Sequence, residues 1–159
     1  MEGNKLNIAD IRQDYRLAAL DEETVGLDPL TFFRTWFTEA EAAQITEINA
    51  MTLATVDARM QPHARVVLLK GLDTDGFVFF TNYDSAKGQE ITANPKVALV
   101  FFWKELERQV RIEGTIARIH EDESNAYFHS RPAGSRIGAW ASPQSRKIRI
   151  FSGRVNQSH

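Results

Sequence analysis

No cysteine occurs anywhere in the 159 residues, which excludes disulfides, thiolate metal sites and thiol nucleophiles and fits a reducing compartment. Long apolar runs are also missing. Nothing approaches the ~20 residues that a membrane-spanning helix needs, and the amino terminus, MEGNKLNIADIRQDYR, has no apolar core of the signal-peptide kind. The expectation is a cytoplasmic protein with no membrane partner. Metal-ligand spacing is absent as well: His63, His120, His129 and His159 are scattered, with no H-E-x-x-H among them. No G-x-G-x-x-G, Walker loop or G-x-S-x-G is present, so Rossmann nucleotide binding, P-loop chemistry and serine hydrolysis lack motif support. Acidic residues are missing from a long carboxyl-terminal stretch. Between Arg131 and His159 stand six basic residues, Arg131, Arg136, Arg146, Lys147, Arg149 and Arg154, and no Asp or Glu. The net charge of −2 argues against a globally basic nucleic-acid binder, so this asymmetry points to a local anion site, a basic tail, or both.

What is present is ordinary for one soluble domain: 43% hydrophobic and 25% charged residues. A chain of this length buries roughly 70% of the surface that it exposes when unfolded, enough for a real core. Asp28 followed by Pro29 predicts a helix start, and Leu30, Phe33, Trp36, Phe37 and Ala40 then recur at helical spacing. Five strands are predicted: Met51 to Val56, His63 to Lys70, Gly76 to Thr81, Lys96 to Trp103 and Arg108 to Ile119. Short turns such as DARMQP and GLDTDG join most of them and favour a closed or nearly closed antiparallel barrel. Two short helices are expected, from about Ser85 to Ala93 and from about Asp122 to Ser130. The stretches before Tyr15 and after Arg146 read as loosely organised. The resulting division is an amino-terminal segment (1–27), a barrel domain (28–145) and a basic tail (146–159).

Several stretches carry chemistry. In TNYDSAKGQE, Thr81 ends a strand while Ser85, Lys87 and Gly88 open a helix, so hydroxyls, an ammonium and free N–H groups converge as a phosphate site requires. A capped helix with an exposed lysine accounts for the same residues. In RVVLLK the apolar middle, Val66 to Leu69, is core by default. Strand alternation sets Arg65 and Lys70 on opposite faces, so if both are functional they serve two different anionic groups. Gln109 lies within a strand, where its amide faces either a planar heterocycle or water. In YFHSRPAGSRIGAWASPQS, Arg131 and Ser135 flank a Pro-Ala-Gly turn just beyond Tyr127, a set able to clamp an oxyanion or to form a solvated loop.

RVVLLK, FFTNYDSAKG, LERQVRIEG and YFHSRPAGSRIGAWASPQS, in this order, closely resemble pyridoxine/pyridoxamine 5′-phosphate oxidase, as do the amino-terminal IRQDY and the DPLTFFRTW helix. The resemblance runs from about Ile11 to Ser145. It implies a mainly β protein with flanking helices, an FMN-binding split β-barrel that works as a homodimer with flavin at the subunit interface. By matching position, Arg65, Val66, Val67, Leu68, Leu69, Lys70, Phe80, Thr81, Lys87, Gln109, Gln144 and Ser145 resemble the FMN set. Lys70, Tyr127, Arg131 and Ser135 resemble the clamp on the substrate phosphate. Arg12, Gln13, Asp14 and Tyr15 resemble the segment that closes over the substrate. The implied reaction oxidises pyridoxine 5′-phosphate or pyridoxamine 5′-phosphate to pyridoxal 5′-phosphate, passing a hydride to the flavin, with oxygen as acceptor and hydrogen peroxide as product.

The chain departs from the family pattern twice. Ala86 stands where many members have an arginine, so one cationic contact to the FMN phosphate is expected to be missing. After Ser145 the chain reads RKIRIFSGRVNQSH, where the family continues with a helix and strands carrying a tryptophan, an R-L-H motif and a further arginine. A C-terminally truncated barrel with exposed strand edges and impaired turnover is the corresponding expectation. A non-catalytic module that binds FMN or pyridoxal phosphate is the alternative, and a polyanion-binding interaction protein a third.

Overall fold

The computed structural model describes residues 28–80, 86–119 and 145–156, the last of these for its backbone pairing. Helix α1 spans Pro29–Ala42. It begins where the sequence predicts, because the Asp28 carboxylate accepts from the backbone N–H groups of Leu30 at 3.2 Å and Thr31 at 3.3 Å, and Pro29 occupies the first turn. One face of α1, formed by Phe32, Phe33, Trp36 and Ala40, is buried.

That face lies against an antiparallel sheet. Its strands are β1 (Ala50–Val56), β2 (Pro62–Leu68), β3 (Gly71–Leu72), β4 (Gly76–Phe80), β5 (Lys96–Trp103), β6 (Arg108–Arg118) and β7 (Ser145–Asn156), in the spatial order β2-β1-β5-β6-β7-β4-β3. A second helix, α2 (Ala86–Ala93), links β4 to β5 and stops before Asn94-Pro95, as expected from a residue pair that cannot continue it. The five predicted strands are all present within a residue or two. The helix expected near Asp122 to Ser130 lies outside the described residues.

Period-two burial explains the core. Met51, Leu53 and Thr55 of β1, Val97, Leu99, Phe101 and Trp103 of β5, and Val110, Ile112 and Ile116 of β6 all face inward. The register stacks Leu53 beside Leu99 and Leu99 beside Ile112, so inward positions form continuous apolar rows across three strands. Phe33 is driven into this surface beside Phe77, Phe101 and Trp103. Arg108, at the start of β6, lies over the Trp36 ring at 4.6 Å and pairs with Glu39, fastening the sheet to α1.

Two expectations need correction. The stretch after Arg146 is not loosely organised: β7 pairs with β6 along most of its length and with β4 through Ser145–Arg149, with a bulge opposite Glu113 and Gly114. The signal was present in the alternation of Ile148 and Ile150 with Lys147 and Arg149, which the count of positive charges concealed. Nor are Val66 to Leu69 all core. Val66 is 69% and Leu68 41% exposed, and only Leu69 is fully buried, because β2 alternates faces instead of being covered on both.

The edge strands β2 and β3 are separated in the chain by Leu69 and Lys70 alone, so the sheet curls until its two ends approach. The Lys70 N–H donates to the Val78 carbonyl at 2.8 Å across that seam. Among the described residues no ladder joins β2 to β3.

Candidate functional site

Among the described residues, the inward-facing positions toward one end of the β1–β2 pair are polar, where most inward positions of β5 and β6 are apolar. Thr55 is paired with His63, and Leu53 with Arg65, so His63, Arg65 and Thr55 share one face. Glu90 of α2 descends onto them and is 8% exposed. Its Oε2 accepts from Arg65 Nη2 at 2.7 Å and from the Thr55 hydroxyl, while Oε1 stands 3.7 Å from His63 Nε2. Arg65 Nη1 donates to Thr55 Oγ1 at 2.6 Å and to the Leu53 carbonyl at 3.4 Å. His63 also meets Asp57 at 3.0 Å, and Asp57 organises the hairpin by accepting from the N–H groups of Arg59 and Gln61.

Burial works to raise the Glu90 carboxyl pKa, but hydrogen bonds from Thr55 and Arg65, with the nearby charges of Arg65 and His63, bring it below its ordinary value. A depressed folded-state value means that this stabilisation is complete above the unfolded value near 4.5 and is lost as pH falls through the folded one. Melting temperature measured from pH 6 down to pH 3 should therefore decline more steeply in the native chain than in Glu90→Gln. Parallel curves would show that the carboxylate contributes no acid sensitivity.

Lys87, one turn before Glu90 on α2, is partly buried, and its pKa is lowered first by that burial and then by the positive charge of Arg65. A doubly charged anion such as a phosphate, placed between two such cations, would relieve their repulsion and could accept from both. Glu90 and Thr55 escaped the sequence reading. Glu90 was detectable only as the residue three after Lys87, on the same helical face.

Lys70 belongs elsewhere. It lines a groove of about 430 Å³ between α1 and the β2–β3 junction, with Phe33, Arg34, Phe37, Thr38, Leu69, Gly71 and Leu72. Arg34 Nη2 donates to the Leu72 carbonyl there at 3.3 Å. A larger cavity of about 560 Å³, lined mainly by small and apolar residues from Ala54 to Val56, Val97 to Ala98 and Gly114 to Thr115, holds none of the predicted site residues. Among the described residues no three His, Cys, Asp or Glu side chains are grouped to hold a metal.

The remaining predicted residues are divided between the two faces of the sheet. Val66 and Leu68 stand on β2, and the 53%-exposed Phe102 on β5 is paired with Gln109 on β6. Phe80 closes β4, partly buried, and Val67 packs partly buried against the core. Ser145 opens β7 opposite Phe80. Arg12, Gln13, Asp14, Tyr15, Thr81, Tyr127, Arg131, Ser135 and Gln144 lie outside the described residues. No described helix is long and apolar enough to cross a membrane.

Comparison with known proteins places this geometry among relatives. The family model described as pyridoxamine 5′-phosphate oxidase matches residues 37–155. A pyridoxine/pyridoxamine 5′-phosphate oxidase of Bordetella avium is 59% identical over 143 residues, covering 90% of this chain and 68% of the relative. One from Cupriavidus necator is 57% identical over 141 residues, covering 89% and 66%. The chain thus spans about two thirds of the length of the curated relatives it matches. Among solved structures, PhzG from Burkholderia lata, crystallised with tetrahydrophenazine-1-carboxylic acid, superposes with a TM-score of 0.73 at 26% identity, covering 80% of this chain and 64% of that one. A pyridoxamine 5′-phosphate oxidase-related, FMN-binding protein of Nostoc punctiforme gives 0.65 at 17% identity, covering 79% and 81%, and supports the split-barrel fold alone.

Proposed function

The chain belongs to the pyridoxamine 5′-phosphate oxidase family, and from that premise we propose that it binds FMN and oxidises pyridoxine 5′-phosphate or pyridoxamine 5′-phosphate to pyridoxal 5′-phosphate, with oxygen as acceptor and hydrogen peroxide as product. The observation that carries this reading is the separation of two cationic positions, Arg65 with Lys87 at one rim and Lys70 in the α1 groove. Two phosphate-bearing molecules need two such positions. When bound, the flavin supplies the hydride acceptor and the route of electrons to oxygen.

The residues at hand fit the group. Arg65 and Lys87 hold the FMN phosphate by charge-assisted bonds. β2 is an edge strand, so its outer backbone groups are available to the polar edge of a flavin ring, while Val66 and Leu68 offer apolar surface beside it. Lys70 meets the substrate phosphate together with Tyr127, Arg131 and Ser135, and anchoring that non-reacting end fixes the reacting carbon against the ring.

Gln109 supports a homodimer. Two strands separate β6 from β2, a distance of about 14 Å at ordinary strand spacing. A flavin lying on β2 is beyond the reach of Gln109 from the same copy, so the amide that meets it comes from a second copy. The apolar outer row of Val66, Leu68 and Phe102 is the surface that such a pairing covers.

The test is direct. Purified protein is incubated with FMN, freed of unbound flavin, and given pyridoxamine 5′-phosphate in air. A retained flavin band with peroxide release is the expected result. A retained band without peroxide would assign a non-catalytic flavin-binding module, and a colourless protein would remove the cofactor reading.

A further inference from the structure

Glu90 poses a problem for any phosphate site at this rim. Arg65 and Lys87 supply two positive charges, and Glu90 cancels one of them from hydrogen-bond distance. By charge alone an acid at this place weakens the hold on a phosphate, and it is costly to bury in the first place. Its geometry accounts for its presence. Oε2 takes one N–H of Arg65 Nη2 at 2.7 Å, and Thr55, itself hydrogen-bonded to Glu90, takes one from Nη1 at 2.6 Å. The Leu53 carbonyl receives a further bond from Nη1 at 3.4 Å. The guanidinium is therefore held along one side, with Nε–H and the second hydrogen of Nη2 uncommitted by these bonds. His63 faces the other carboxylate oxygen at 3.7 Å and is itself held by Asp57 at 3.0 Å, so Glu90 is backed from the β1–β2 hairpin.

We propose that Glu90 is a positioning residue for the phosphate grip: it fixes the Arg65 guanidinium in the one orientation that leaves its open edge to the FMN phosphate. The proposal rests on the reading of Arg65 and Lys87 as the FMN-phosphate pair. A free arginine side chain loses much rotamer freedom when it binds, and one already locked by buried partners does not lose it again. Glu90 thus trades part of the attraction for a preset geometry.

The trade gives opposite signs for the two effects, which makes it testable. Affinities for FMN and for riboflavin, which lacks the phosphate, are measured by flavin fluorescence on the native chain, Glu90→Gln, Arg65→Ala and the double variant. Glu90→Gln keeps the shape and adds one unit of net positive charge. The preference for FMN over riboflavin is nevertheless expected to fall about tenfold, as for a lost charge-assisted bond. In the Arg65→Ala background, where no guanidinium is left to position, the same change should no longer lower that preference, and the lost negative charge beside Lys87 should if anything raise it. A preference that is unchanged or increased in Glu90→Gln overturns the proposal, and so does an equal loss for both flavins, the mark of a merely structural role. A native chain with no preference for FMN overturns the phosphate grip itself, and the positioning role with it. If Glu90→Gln does not fold, Thr55→Val removes the other restraint without changing charge. Its preference should fall about fivefold, and no fall would count against the proposal equally.

Discussion

Replacing Phe33 with alanine is expected to destabilise the protein by about 3–5 kcal/mol. The side chain is 2% exposed and occupies the centre of an aromatic cluster. Its ring lies edge-on to Phe77 at 4.9 Å, and 5.0 Å from Phe101 and 5.9 Å from Trp103. Phe77 and Phe101 belong to β4 and β5, strands that are far apart in the sheet order, so one side chain of α1 bridges both halves of the curled sheet. Alanine leaves a cavity that neither strand is free to fill, because their positions are set by backbone ladders on both sides. Urea denaturation is the measurement. Met60→Ala, at a hairpin position 76% exposed, is the contrast and should stay within about 0.5 kcal/mol of the native chain. Equal losses at the two positions would show that α1 does not close the core.

Arg65→Ala is expected to cost about 3 kcal/mol at neutral pH, because it leaves the Glu90 carboxylate buried without its cation. The loss has a distinctive pH dependence. With Arg65 in place, hydrogen bonds and charge outweigh burial and hold the Glu90 pKa down. Without it, only the Thr55 hydrogen bond and His63 are left to oppose burial, the largest single influence, and the folded-state value is expected to rise above the unfolded one. A carboxylic acid with a raised folded value is penalised above that value and relieved as it protonates, so the deficit of the variant should shrink as pH falls from 7.5 to 5. Adding Glu90→Gln should recover part of the stability at pH 7.5. A deficit independent of pH would mean that the carboxylate escapes to water when its partner is removed.

Much of the fold was legible along the chain because it depends on local periods. The Asp28-Pro29 start, the i, i+3, i+4 pattern through Phe33 and Trp36, and the two-residue alternation of β1, β5 and β6 each follow from the geometry of one element. Where that reading failed, a second layer was needed. The continuous apolar run of RVVLLK resembles a strand buried on both faces, yet Val66 and Leu68 are exposed because β2 lies at the sheet edge with nothing described over its outer face. The basic stretch after Arg146 reads as solvated, yet its backbone closes the gap between β6 and β4.

By itself the sequence determined the family, through strings long enough to be specific, together with the helix start and the strand positions, whereas strand parity does not relate Arg65 to Lys70, because β2 ends at Leu68. Only the tertiary structure decided which charges meet. Arg65 and Glu90 are far apart in the chain and lie on different elements, and no local period relates a β2 position to a turn of α2. Their contact, with Thr55 beneath and Lys87 beside it, exists because the sheet carries α2 back over the β1–β2 end. The physical reason is that local sequence sets torsions and faces over a few residues, whereas a buried ion pair is selected by the global packing that brings distant desolvated groups together.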